Sequence, residues 1–148
     1  SAPFPPAGSF AAVLFVVVTR AGELVSDRAV AVRAPGIDGE FGGLPSRGRC
    51  TTGLATGILR YRSVGSGDWT GLTVSSGLVE VLPDRVIVLA QTAETAQDID
   101  IVRAEAALER ARERLKNPED EADVERALEA LKRSTVRLEA AREDTTKN

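Results

Sequence analysis

Four arginines in the last third of the chain are spaced to do chemistry on an anion. Arg103 and Arg110 are seven residues apart, and Arg133 and Arg137 are four apart. On helices each pair shares a face. If the two helices run antiparallel, the faces can converge, and converging guanidiniums repel unless an anion joins them. Guanidinium suits phosphate because its planar fork donates two parallel hydrogen bonds. Asp100 cannot serve phosphate. It can cap a helix. The same spacing also describes a solvated helix face, on which Glu129 and Arg133 form an ordinary i,i+4 pair that needs no ligand.

Other chemistry is thin. The 148 residues contain no His and a single Cys, Cys50. The commonest general base and metal ligand is therefore absent. So is any Ser-His or Cys-His dyad. An intramolecular disulfide is excluded, and Cys50 reads as a bland thiol beside a loop. No pair of carboxylates stands at a spacing that suits acid–base work, so the composition points away from an enzyme. The formal net charge of −3 argues against a general nucleic-acid binder, which usually carries a basic field. Trp69, beside a turn, suits core or edge packing or a ligand platform. Arg47 and Arg49 form a basic loop that reads as solvated or as a contact for a phosphate or an acidic partner.

These residues must be positioned by two kinds of element. The stretch Asp98 to Ala104 separates them, because the hydrophobic period changes there from strand-like to helical. The expected division is 1–98 for a β-sandwich domain, including a Pro-rich lead over 1–10, and 99–148 for a two-helix hairpin. The predicted fold class is α+β, mainly β: an antiparallel sandwich or barrel followed by an antiparallel helical hairpin. Strands are expected over Ala12 to Thr19, Glu23 to Arg33, Gly57 to Arg62, Trp69 to Val74, Leu78 to Leu82 and Arg85 to Ala90. Gly, Pro and Asp turns recur between them. Gly39 to Leu44 reads as a short glycine-rich strand or loop, and Pro45 to Thr52 as loop. The longest apolar run, Ala11 to Val18, is far short of the roughly 20 residues that span a bilayer. It reads as a buried strand, and no signal peptide is expected at the start.

In the second part Asp100 is the expected N-cap of the first helix. Ile101, Ala104, Leu108, Ala111 and Leu115 form its apolar stripe. Asn117-Pro118-Glu119-Asp120 reads as a restart, with Asn capping, Pro at the first helical position and two acids at the positive end of the dipole. Val124, Leu128, Leu131, Thr135 and Leu138 form the second stripe. So short a connection makes the helices antiparallel neighbours. The stripes are narrow and rich in Ala, so the pair buries little and its own stability is expected to be low. Such an element at the end of a rigid domain suits a switch.

Taken in order, several segments carry a resemblance. They are Ala34-Pro35-Gly36 with Gly39-Glu40-Phe41-Gly42 and Leu44-Pro45; Gly57-Ile58-Leu59-Arg60; Val74-Ser75-Ser76-Gly77-Leu78-Val79-Glu80-Val81; Pro83-Asp84-Arg85-Val86 through Ala90; Thr92-Ala93-Glu94; and Ile99-Asp100-Ile101-Val102-Arg103-Ala104. Their order and spacing, followed by a hairpin of matching length, resemble the epsilon subunit of bacterial F-type ATP synthase, called delta in mitochondria. The resemblance covers nearly the whole chain after about Leu14. It departs at Ser46-Arg47-Gly48-Arg49-Cys50, where the family usually has a Gly-His-Ala-Pro-like turn.

The resemblance implies a non-catalytic rotor subunit of the central stalk. Its sandwich would bind the gamma subunit and touch the c-subunit ring. Its hairpin would lie folded beside the sandwich or extend into the alpha/beta catalytic head and block ATP hydrolysis. It implies an ATP-binding set at Glu94, Asp100, Arg103, Ala104, Arg110, Arg133 and Arg137, with ATP as a regulatory ligand and no required cofactor or metal. It also implies a place peripheral to the cytoplasmic face of the bacterial plasma membrane, or to the matrix face of the mitochondrial inner membrane or the stromal face of the thylakoid. Neither direct membrane insertion nor nucleic-acid binding is expected. The rival reading is a free-standing β-sandwich binding module with a helical oligomerisation tail.

Overall fold

The first strand is an apolar run whose burial alternates between its two faces. In β1 (Val13–Thr19) Val13, Phe15 and Val17 are buried and the residues between them are half-buried. The structure, a computed structural model, describes residues 12–42, 49–65 and 67–147. The Pro-rich lead and the Ser46 to Gly48 part of the departing loop lie outside these residues. Two compact units meet at Glu94 and Thr95.

The first unit is a sheet. It continues with β2 (Gly22–Gly36), β3 (Gly39–Gly42), β4 (Cys50–Leu54), β5 (Gly57–Ser63), β6 (Trp69–Val74), β7 (Gly77–Val81), β8 (Arg85–Ala90) and β9 (Ala93–Thr95), the last straddling the boundary. The order is β1-β8-β7-β4-β2-β5-β6-β9, with β3 on β2 and a further β1–β2 pairing. β2 is the long organising strand. Its first half pairs with β1, and its second half pairs with β5 and β3. Gly22 and Gly39, with φ of +118° and +116°, open the tight returns on either side of it. Only glycine takes such angles without strain. One pairing departs from the antiparallel expectation, because β1 runs parallel to β8.

Phe15, Leu54, Leu59, Leu72, Val79 and Val88 are almost wholly buried in the core. The rings of Phe15 and Tyr61 lie 4.8 Å apart. With Trp69 half-buried on β6, the aromatic residues buried in this core among the described side chains are that pair. The Ser75 and Thr92 hydroxyls meet at 2.6 Å, and Thr92 N–H donates to Ser75 Oγ, which ties the β6–β7 turn to the β8–β9 turn. The residues read as loop from Pro45 to Thr52 need correcting at their end. Cys50, Thr51 and Thr52 belong to β4, recruited by β7, against which Cys50 lies opposite Val81.

The second unit opens with a 3-10 turn, Ala96–Asp98, and continues as α1 (Ile101–Lys116) and α2 (Glu121–Lys147). Asp100 caps α1 as expected, its carboxylate accepting from Arg103 N–H at 3.1 Å. The second cap is corrected. α2 begins at Glu121, and Asp120 does the capping, accepting from Asp123 N–H at 2.7 Å. Asn117 and Pro118 remain in the connection, because two good caps compete there and the later one also engages Asp123. The expected apolar stripes also shift. Ile101, Leu128 and Thr135 are exposed, while Ala104, Ala111, Asp123, Ala127, Ser134, Ala140 and Ala141 are buried. Small residues let helix backbones approach closely, so the narrow faces pack and the larger side chains ride at their margins.

Candidate anion site in the helical hairpin

Four residues from each helix line an open hollow of about 310 Å³. From α1 come Ala107, Arg110, Ala111 and Arg114. From α2 come Arg126, Ala127, Ala130 and Arg133. The spacing follows from helix geometry. Arg110 and Arg114 are one turn apart, and Arg126 and Arg133 are two turns apart, so each set lies on one face. The alanines between them form an apolar floor and leave space where longer side chains would fill it.

The four guanidiniums are not equivalent. Arg114 and Arg126 both approach Asp123 Oδ1, at 3.6 Å and 3.8 Å. The Asp123 side chain is only 8% exposed, and its other oxygen accepts from Glu119 N–H at 3.2 Å. Arg110 and Arg133 have no ion-pair or hydrogen-bond partner among the described residues. Two positive groups therefore face one hollow uncompensated, from opposite helices. A phosphate chain fits that donor set, since each fork can engage two oxygens.

The remaining residues of the expected set are spread more widely. Asp100 uses Oδ1 in the cap, which leaves Oδ2 available to accept. Arg103 is exposed on the first turn of α1, and Ala104 beside it is fully buried. Arg137 is half-buried on α2 and already holds a partner. Glu94 is half-buried in β9, at the end of the first unit, and is also engaged. Neither Arg103 nor Arg137 lines the hollow, whereas Arg114 and Arg126, which the sequence reading passed over, do. The missed signal was periodic. Arg114 stands four residues after Arg110, and Arg126 stands seven before Arg133.

Elsewhere among the described residues no group of three or more His, Cys, Asp or Glu could hold a metal ion. No helix among them is long and apolar enough to cross a membrane.

Comparison with known proteins agrees along both units. Residues 13–96 match the family described as the ATP synthase delta/epsilon chain β-sandwich domain. Residues 97–142 match the long α-helix domain of the same chain. An ATP synthase epsilon chain of Desulforamulus reducens is 42% identical over 125 residues, covering 84% of this chain and 93% of its own. One from Desulfosudis oleivorans is 48% identical over 101 residues, covering 68% of this chain and 75% of its own. A chain in the structure of the Euglena gracilis mitochondrial ATP synthase, OSCP/F1/c-ring, superposes with a TM-score of 0.76 at 26% identity. That match covers 95% of this chain and 89% of the other. The chain belongs to the delta/epsilon family of ATP synthase subunits.

Proposed function

We propose that this chain, a non-catalytic subunit of ATP synthase, works in the central stalk, joining the gamma subunit to the c ring, and that its hairpin is an ATP-sensitive brake on hydrolysis. The TM-score of 0.76 against a chain from an assembly of F1 and c-ring supports the first part. The observation that carries the second is the pair Arg110 and Arg133, unpartnered among the described residues and facing one hollow.

In this reading the two guanidiniums hold phosphate oxygens, with Arg103 and Arg137 as further donors along the same hairpin. Asp100 Oδ2 accepts from the adenine amino group. ATP then favours the folded hairpin by mass action, because it binds that state and not an extended one. The subunit works at the periphery of the cytoplasmic face of a bacterial plasma membrane.

The test is calorimetry of the full chain with ATP. Saturable binding is expected, weakened roughly tenfold or more in Arg133→Ala, Arg110→Ala and Arg103→Ala, since each removes a charge-assisted contact. Unchanged affinity in these variants would remove the assignment and leave a solvated arginine face.

A further inference from the structure

The lining of the hairpin hollow is arginine and alanine alone, with no acceptor side chain. Carbonyls in the interior of an α-helix are already bonded within that helix. A nucleobase or a ribose therefore finds no partner there for its own N–H and O–H donors. What the hollow offers is donors around an apolar floor.

Its charge is equally one-sided. Four guanidiniums stand against one carboxylate, that of Asp123, which leaves three positive charges in excess. Two carboxylates of α1 are engaged by other cations: Glu109 pairs with Arg112 at 3.8 Å and Glu113 with Lys116 at 3.1 Å. Guanidinium keeps its proton throughout the working pH range, so the excess persists.

Arg114 and Arg126 are held only by charge. Both approach the same oxygen, Asp123 Oδ1, at 3.6 Å and 3.8 Å, which is beyond the usual N–H···O range of about 2.7–3.2 Å. The N–H groups of both forks therefore remain to be engaged. Asp123 is kept in place independently, because its other oxygen accepts from Glu119 N–H. Along α1, Arg110 to Arg114 is about 6 Å of helix rise, and along α2, Arg126 to Arg133 is about 10 Å. The donors thus form a row, with Arg114 and Arg126 nearer the connected end of the hairpin. A row of forks matches linked phosphates better than it matches a single anion.

We propose that the hollow is a site for condensed phosphate in its own right, taking inorganic diphosphate or triphosphate with no nucleoside attached. Arg110 and Arg133 hold the outer phosphate, and Arg114 and Arg126 give their unbonded N–H groups to the inner one. This rests on the hollow being an anion site, as in the ATP reading, and adds Arg114 and Arg126 to it. A free anion and the tail of a nucleotide share this chemistry, and the experiment separates them.

The test is calorimetry of the full chain without divalent cations. The probes are orthophosphate, pyrophosphate and tripolyphosphate, with adenosine and citrate as controls. Affinity should rise along the phosphate series. ATP should displace tripolyphosphate, and adenosine should not. Arg114→Gln/Arg126→Gln should weaken tripolyphosphate roughly tenfold or more and orthophosphate much less. Its helical melt should match the parent's, because exposed ion pairs stabilise little. Absence of tripolyphosphate binding, affinity no greater than that for orthophosphate or citrate, or full affinity in the double variant overturns the proposal. ATP binding where tripolyphosphate alone does not bind would overturn it and leave the nucleotide reading in place. Tripolyphosphate binding where ATP does not bind would do the reverse.

Discussion

Asp123, in the first turn of α2, lies 3.6 Å from the Arg114 guanidinium on α1, so a buried carboxylate ties the two helices at their connected end. The same side chain accepts from Glu119 N–H. Asp123→Ala leaves that amide without its acceptor and should cost the hairpin about 1–2 kcal/mol. Arg114 and Arg126 are 62% and 65% exposed, so their ion pairs add little to this figure. Hydrogen exchange of the hairpin amides measures the effect. Asp123→Asn retains an acceptor oxygen and should lose less. Equal losses in the two variants would place the stabilisation in the ion pairs instead.

Ala127 is 2% exposed and forms part of the floor of the hollow. Ala127→Leu must push the helices apart or distort its own rotamer, a cost of about 1–3 kcal/mol. Helical circular dichroism should melt at lower temperature, and ATP affinity should fall with the lost space. Arg110→Ala should reduce affinity while leaving the melt in place. A variant with leucine at 127 that melts as the parent does would show that the helices do not pack closely there.

Gly77 lies opposite Ala90 in the β7–β8 pair. A Cβ at this position would overlap the Leu89 carbonyl oxygen, a backbone atom that cannot swing aside. Gly77→Ala should therefore destabilise the sandwich by about 3 kcal/mol. The check is the denaturant midpoint, with the slope of the transition unchanged. A midpoint equal to that of the parent would mean that β7 and β8 separate there at little cost.

Burial raises the Tyr61 phenol above its ordinary value of 10.0; the Asp27 carboxylate adds to the rise, and a hydrogen bond with Thr70 opposes it. The folded state thus holds this proton more tightly than the unfolded state. The resulting stability is fully present below the unfolded value and is lost as pH rises through the folded one. Denaturant midpoints should fall as pH climbs past about 10, and Tyr61→Phe should remove that step. Tyr61 is the only tyrosine, so phenolate absorbance reports the titration directly. An ordinary titration, or an alkaline step that persists in the phenylalanine variant, would refute the coupling.

Much of this molecule is written locally. β5 follows alternation that can be read along the chain, β1 and β8 are apolar runs bounded by turn residues, and Asp100 caps α1 because a carboxylate beside free amides needs no distant partner. The ordered segments from Ala34 to Ala104 likewise carried the family. β4 was not legible, because Cys50-Thr51-Thr52-Gly53 has no alternating pattern and becomes a strand only when β7 supplies its hydrogen bonds. The start of α2 was read too early at Pro118, since the choice between Asn117 and Asp120 as cap rests on what Asp123 can also reach.

The arginine site divides in the same way. The sequence by itself determined that Arg110 and Arg133 lie on helix faces that could meet, because 3.6-residue periodicity is a local property. Only the tertiary structure decided that they share a hollow, that Arg114 and Arg126 join them there, and that Asp123 occupies those two and not the first pair. The physical reason is the alanine packing. How closely two helices approach, and in which register, depends on small residues meeting across the pair. That relation exists between chain segments and is absent from either one alone.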